Sequence, residues 1–363
     1  MSPAPAACHI GATILPYGDS PRDVWVADGR ITFSPQDGAE ELAGAYVLPG
    51  LVDCHVHLTL DFANTGLTPG SREIVADARR RHLESGTLLL RDIGTLSEDV
   101  TIGLPDDGLP RVHPAGRLLA PPGRYFGVER PTPEGEVVEV AVQQVKAGAE
   151  WVKLIGDWPT EFPDFTTSVT NYSDAAVSTV VERVHAAGAC VAVHATSREG
   201  VVQAIAAGVD TIEHGVGADE ALVRRMGEKG ITLSPTIAIE QQVLAMVAES
   251  DSRKAVDEIR EKFAVLKAAI ARAPALDVRV LAGTDMFPPG SVWREVAALF
   301  AAGLDPVVAL AAATTAAREY LGEPALEEGA PADLVIYEQD PRNDPEVLSR
   351  PTLVMFSGRI VRR

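Results

Sequence analysis

Between residues 51 and 285, eight short apolar runs alternate with stretches of helical periodicity. The runs are Leu51–Leu58, Thr87–Gly94, Arg111–Leu119, Trp151–Asp157, Cys190–Ala195, Thr211–Gly215, Thr232–Ala238 and Arg279–Asp285. Helical patterns lie between most of them, at Arg72–Glu84, Glu134–Ala147, Asp174–Ala187, Gly200–Ala207 and Glu220–Lys229, with a longer helical region over Val243–Arg272. Trp293–Ala302 and Pro306–Tyr320 follow the last run, and Leu96–Pro110 is a weak helix candidate. Strands separated by helices pair in parallel, and eight such repeats over about 270 residues match a (β/α)8 TIM barrel in count and size. A doubly wound open sheet is the alternative, but no G-x-G-x-x-G follows the first run.

The two ends of the chain read differently. His9–Leu15, Val24–Ala27, Arg30–Phe33 and Ala45–Leu48 are short strand-like runs broken by turn signals such as Ala-Asp-Gly, and Ala332–Glu338 and Thr352–Val361 read alike. Neither end can bury both faces of a sheet alone. The expected organisation is therefore a small β-sandwich domain formed by both ends, residues 1–49 plus 326–363, beside a barrel over residues 50–325.

Composition narrows the function. A net charge of −19 repels phosphate backbones, so nucleic acid is not an expected partner. No apolar run reaches the length of a membrane span, and the first residues lack the basic and apolar regions of a signal peptide, so a cytoplasmic protein is expected. Cys8, Cys54 and Cys190 are too scattered for a disulfide framework or a thiolate zinc site.

The chemistry-bearing residues fall at the ends of the apolar runs. His55 and His57 are two apart in Leu-Val-Asp-Cys-His-Val-His, so in a strand both imidazoles share one face. Two neighbouring imidazoles suit a divalent cation, or equally a solvated strand end. Lys153 sits mid-strand in Trp-Val-Lys-Leu-Ile, where a bare cation is costly to bury. It requires a carboxylate partner, a lowered pKa, or carbamylation by CO2. His194, His214 and Asp285 each end a further run, where barrel enzymes place their active sites. Six such residues on five strands, converging on one mouth, point to a joint metal site.

The order H-x-H, Lys, His, His, Asp resembles the amidohydrolase superfamily. The phrases Leu-Pro-Gly-Leu-Val-Asp-Cys-His-Val-His, Leu-Leu-Leu-Arg-Asp-Ile-Gly, Val-Asp-Thr-Ile-Glu-His-Gly, Leu-Ala-Gly-Thr-Asp and Ala-Pro-Ala-Asp-Leu-Val-Ile-Tyr are similar to its imidazolonepropionase-like and prolidase-like (Xaa-Pro dipeptidase-like) branch. The resemblance implies a binuclear site, usually zinc. His55, His57 and Asp285 would hold the more buried ion, His194 and His214 the more exposed one, and carboxylated Lys153 and a hydroxide would bridge them. Asp285 would take the hydroxide's proton and pass it to the leaving group.

The implied activity is hydrolysis of a C–N bond in a small molecule such as a dipeptide or N-acyl amino acid. Alternatives are a mononuclear cyclic-amidine hydrolase or deaminase, a lactonase, and a scaffold without activity. Where relatives carry Gly-Gly-His-Gly after the third strand, this chain has Ala-Pro-Pro-Gly-Arg-Tyr-Phe-Gly, which makes Arg124 and Tyr125 candidate substrate contacts. Tyr172 and Arg198 are further candidates, each with an ordinary packing or helix-start reading beside it. The resemblance also implies a possible homo-oligomer.

Overall fold

The computed structural model describes residues 7–59, 70–96, 100–250 and 252–363. Both chain ends join one hydrogen-bonded sheet. Its order is Arg359–Arg362, Leu353–Phe356, Leu334–Tyr337, Tyr46–Pro49, Ala7–Ile14, Pro21–Ala27, Arg30–Thr32, with Glu40–Glu41 pairing alongside Ala7–Ile14. The ends meet where Leu334–Tyr337 runs antiparallel to Tyr46–Pro49, Val335 opposite Leu48. Ala27, Asp28, Gly29 and Arg30 form a two-residue hairpin in which Asp28 and Gly29 both have positive φ, 51° and 77°. That conformation matches the twist of the flanking strands and suits an Asp-Gly pair. Ile10, Val24, Val26, Val47, Leu334 and Met355 form a separate apolar cluster on this sheet.

Gly50 leads from this sheet directly into a TIM-barrel-like α/β fold. Leu51–Val56, Thr87–Asp92 and Arg111–Pro114 pair in parallel, as do Trp151–Ile155, Cys190–Ala195, Thr211–His214 and Thr232–Ser234. Single parallel bridges extend the first set, Thr95 to Arg117, and connect the two sets and the last run: Leu119 to Leu154, Leu233 to Val280, and Val56 to Asp285. Alternation along the strands divides the side chains. Val152, Leu154, Val191, Val193, Ile212 and Leu233 join the large apolar cluster shared with the helices. Lys153, His194 and Glu213, at the intervening positions, face the interior of the fold.

Several expected elements take a different form. Arg279–Asp285 is held by single bridges at Val280 and Asp285 rather than by a ladder. Its Gly283 lies so close to His55 that an added Cβ would collide with the histidine. The long helical region divides into Glu240–Ala248 and Arg253–Arg272, because Ser252 caps the second helix by accepting from the Ala255 amide. Residues 100–110 contain turns and no helix, and residues 97–99 of that candidate helix lie outside the described residues. A small hairpin, Asp157–Pro159 against Ser168–Thr170, is an addition that the periodicity did not announce. No described helix is long and apolar enough to cross a membrane.

Candidate metal centre

His55 lies on the strand Leu51–Val56 and His57 directly after it, and each has one ring nitrogen committed elsewhere. His55 Nδ1 lies 2.7 Å from Glu213 Oε2, and His57 Nδ1 lies 2.7 Å from the Gly94 carbonyl oxygen. These acceptors fix the proton on Nδ1 and leave Nε2 with a lone pair. The two Nε2 atoms lie 3.6 and 3.5 Å from Asp285 Oδ1. His55, His214 and Asp285 offer ligand atoms that all fall within 4.8 Å of one another. His214 Nδ1 is 2.8 Å from Thr236 Oγ1 and 3.9 Å from Asp285 Oδ2. His194 joins them, its ring 4.5 Å from that of His214.

Backbone strain helps to aim these groups. His214 and Asp285 have φ of 67° and 52°, in the left-handed region that costs a non-glycine residue on the order of 1 kcal/mol or more. At His214 this breaks strand alternation, so Glu213 and His214 both reach the interior. Asp53 secures the other side by accepting from the Thr284 amide at 3.0 Å and the Thr284 hydroxyl at 2.7 Å. Asp157 accepts from the amides and hydroxyls of Thr196 and Ser197 and so anchors the turn that follows His194.

Burial sets the protonation. It lowers His55 to about 4, with nearby Lys153 acting in the same direction, and lowers His214 to about 3. His194 is pushed well below its usual value by burial and by His214. All three are therefore neutral donors at pH 7. Burial raises Asp285, but the imidazoles beside it outweigh that and hold the carboxylate ionised, among them His57, which Asp285 and the Gly94 carbonyl raise above its usual value against the effect of burial. Glu213 is also ionised, because Arg91, at 2.8 Å, and Lys153 overcome its burial. Lys153 is lowered to about 8 by burial.

Two groups at the site have unmet bonding capacity. Lys153 Nζ and both ring nitrogens of His194 are buried without a hydrogen-bond partner. Buried polar atoms are normally satisfied, so these atoms point to something that binds there.

The four candidate substrate contacts separate. Tyr125 lines the cavity above the histidines, its ring 5.6 Å from that of His194. Arg124 does not line it. Its guanidinium donates to Asn171 Oδ1 at 2.8 Å and to the Trp158 and Val169 carbonyls, binding its own loop to the small hairpin. Tyr172 is buried away from the cavity and donates to the Thr132 carbonyl at 2.9 Å. Arg198 pairs with Asp219 on the surface at 2.7 Å. In this structure the donors of these three residues are used within the fold. Sequence reasoning missed Glu213, Arg91, Asp53 and Asp157, which hold the candidate ligands and the turns beside them in place. The available signal was a charged residue at an inward position of an apolar run.

The cavity has a volume of ≈ 510 Å³, with His57, His194, His214 and Asp285 among its lining residues. Trp158, Phe162 and Phe165, carried by the small hairpin and its connection, form one wall.

Residues 46–361 match the model of the amidohydrolase family. An uncharacterized protein of Mycobacterium tuberculosis is 37% identical, the match covering 97% of this chain and 95% of that protein. An ochratoxinase of Aspergillus niger is 27% identical over 85% of this chain and 73% of its own length. Among solved structures, a Xaa-Pro dipeptidase with methionine bound in its active site superposes with a TM-score of 0.80 at 25% identity, covering 98% of this chain and 99% of that one.

Proposed function

The chain belongs to the amidohydrolase family and is a hydrolytic enzyme acting on C–N bonds; from that premise we propose a metal-dependent amide hydrolase acting on a small substrate of the dipeptide or N-acyl amino acid class. The observation that carries this reading is the convergence of imidazoles and a buried amine without a hydrogen-bond partner around one ionised carboxylate. The names of the relatives, a Xaa-Pro dipeptidase and an ochratoxinase, support it.

The residues present fit a metal centre. His194 offers two unsatisfied nitrogens, and Glu213 and the Gly94 carbonyl hold His55 and His57 in the tautomer a cation requires. His55, His57 and Asp285 would hold one ion and His194 and His214 a second. Lys153 would join the two as a carbamate. Its amine, pushed down to about 8, keeps a reactive neutral fraction for addition to CO2. Imidazole and carboxylate donors suit zinc. Bound there, the metal pair would supply an activated water and polarise the scissile carbonyl.

The protein's own part is positioning and proton transfer. The Asp285 carboxylate faces the two imidazoles and accepts the proton released when water attacks the amide carbon. It returns that proton to the departing nitrogen as the C–N bond breaks. The aromatic wall above it excludes bulk water and orients the substrate. We also propose a closed eight-stranded barrel over residues 50–325, a separate domain from residues 1–49 plus 326–363, and a cytoplasmic setting. The bridge from Val56 to Asp285 supports the closure.

Metal analysis and turnover together test this reading. Protein loaded with zinc and bicarbonate is expected to bind two ions per chain and to hydrolyse members of a dipeptide and N-acyl amino acid library. Asp285→Asn should lower kcat by about 10²-fold or more. Lys153→Ala should lose one or both ions. Full activity with two ions retained in Lys153→Ala would falsify the bridging role.

A further inference from the structure

Six aromatic rings surround the space beside the candidate metal centre: Tyr125, Phe126, Trp158, Phe162, Phe165 and Phe263. They come from three separate parts of the chain, and five of them, all but Phe263, pack as a continuous wall. Tyr125 and Phe126 stack at 4.4 Å, Tyr125 meets Trp158 edge-on at 4.5 Å, and Trp158 stacks on Phe162 at 5.3 Å. The helices opposite add Val243, Met246 and Ile259. Phe162 is 49% exposed, one of few large apolar side chains left in contact with solvent among the described residues.

No lysine or arginine lines this cavity among the described residues, and residues 60–69 and 97–99 contain neither. The ionisable lining residues are His57, His194, His214 and Asp285, all belonging to the metal centre, and Tyr125, whose phenol burial holds neutral. The two nearby arginines named above are committed to Asn171 and Asp219. A substrate carboxylate drawn against these rings would lose its hydration and meet no guanidinium fork in return, an arrangement that is strongly unfavourable. A large uncharged group would instead displace water from apolar surface on every side.

We infer that the preferred substrate carries a bulky, uncharged aromatic or branched aliphatic group beside the scissile amide, and that the cavity discriminates against the same molecule bearing a free carboxylate there. This inference rests on the proposed hydrolase and revises its substrate class: a dipeptide or an N-acyl amino acid carries a free carboxylate, and the preferred members are those in which an uncharged amide takes its place. Tyr125, Phe126 and Trp158 determine the specificity, and Phe162 forms the lip over which the group enters.

Four probes separate the features: N-benzoyl-L-phenylalaninamide, N-benzoyl-L-phenylalanine, N-acetylglycinamide and glycyl-L-proline. With metal-loaded full-length protein, kcat/KM for the benzoyl amide should exceed that for its free acid by about 10-fold, and those for the two small probes by about 100-fold. Binding is read independently in Asp285→Asn, from quenching of Trp158 fluorescence, with the additional Trp158→Phe change as baseline. The benzoyl amide should quench saturably and bind about 10-fold tighter than the acid, and Phe162→Asp at the exposed lip should weaken it by a similar factor.

Equal or tighter binding of the acid, or no saturable binding of the amide, overturns the inference. Hydrolysis of glycyl-L-proline without binding of the benzoyl amide would leave the hydrolase standing and remove the inference. Tight binding with no hydrolysis of any probe would do the reverse.

Discussion

At the scale of single residues, the site depends on charges that touch no substrate. Arg91 is fully buried, donates to the Cys54 carbonyl at 2.6 Å and pairs with Glu213, which in turn accepts from His55. A buried pair is weak evidence of net stabilisation, but breaking one side leaves an uncompensated charge. Glu213→Gln is therefore expected to cost about 3–5 kcal/mol in urea unfolding and to weaken metal binding by about 10- to 100-fold in a chelator competition. Removing both charges, as Arg91→Met with Glu213→Leu, should recover much of the stability and none of the affinity, since His55 still lacks its acceptor. Recovery of both would show that the carboxylate does not orient the ligand. The grouping of the candidate ligands was open to sequence reasoning because period-two spacing puts His55 and His57 on one face and an inward Lys153 needs a reason to be buried. Glu213 was open to the same argument, with Ile212 facing outward beside it, yet it reads as ordinary next to His214. The place of Arg124 in the fold was not legible for a different reason: its acceptors come from Asn171, Trp158 and Val169, whose proximity depends on a hairpin of three-residue strands too short to leave a periodicity.

At the scale of elements, the cavity is held open by contacts between neighbouring segments. Glu295, on the helix Val292–Ala301, accepts from the Ile237 and Ala238 amides at 3.0 and 2.8 Å and fixes the turn Ile237–Ile239 at the cavity edge. The turn needs such an anchor because Thr236 before it sits at a φ of 48° and gives no side-chain cap. Complete burial raises Glu295 from 4.5 to about 8, against the lowering effect of those two amides and with Asp53 and Asp285 nearby. A carboxyl with a raised folded-state pKa binds its proton more tightly when folded, so its contribution to stability falls as pH rises from about 4.5 to about 8. Glu295→Gln is expected to remove that part of the decline. Urea unfolding of both proteins at pH 5, 6.5 and 8 reads the difference, and parallel stability curves would exclude Glu295 as its source. The anchored turn was not legible. Its run Thr232–Ala238 reads as one strand, and nothing local signals that a carboxylate from a later helix ends it at Ser234.

At the scale of the whole molecule, the question is how the terminal sheet and the barrel-like region are joined. The similarity of the two ends was readable as short alternating strands, and their meeting followed from neither being able to bury a sheet alone. The joint was not readable, because it depends on a guanidinium acting across the chain. Arg318, 2% exposed, donates to the Gly50 carbonyl through Nε at 3.1 Å and Nη2 at 3.0 Å, and to the Pro324 carbonyl at 3.0 Å. Gly50 is the single residue between the strand Tyr46–Pro49 of the sheet and the strand Leu51–Val56 that carries His55. Its amide is also tied to the Asp333 carbonyl, so both ends of the chain converge there. Burial pushes Arg318 down to about 10, with Asp333 acting against it, and it stays a cation at neutral pH. Arg318→Met keeps much of the apolar volume but strips the buried Gly50 carbonyl and the half-buried Pro324 carbonyl of this donor, a loss expected to cost about 2–5 kcal/mol. If the sheet and the barrel-like region fold as one unit through this joint, the variant should show a single transition moved to lower urea, coincident by Trp25 fluorescence in the sheet and by far-ultraviolet circular dichroism of the helices. Two separated transitions would mean that the terminal sheet unfolds alone once Gly50 is released, and that Arg318 is what couples the strand carrying His55 to the rest of the fold.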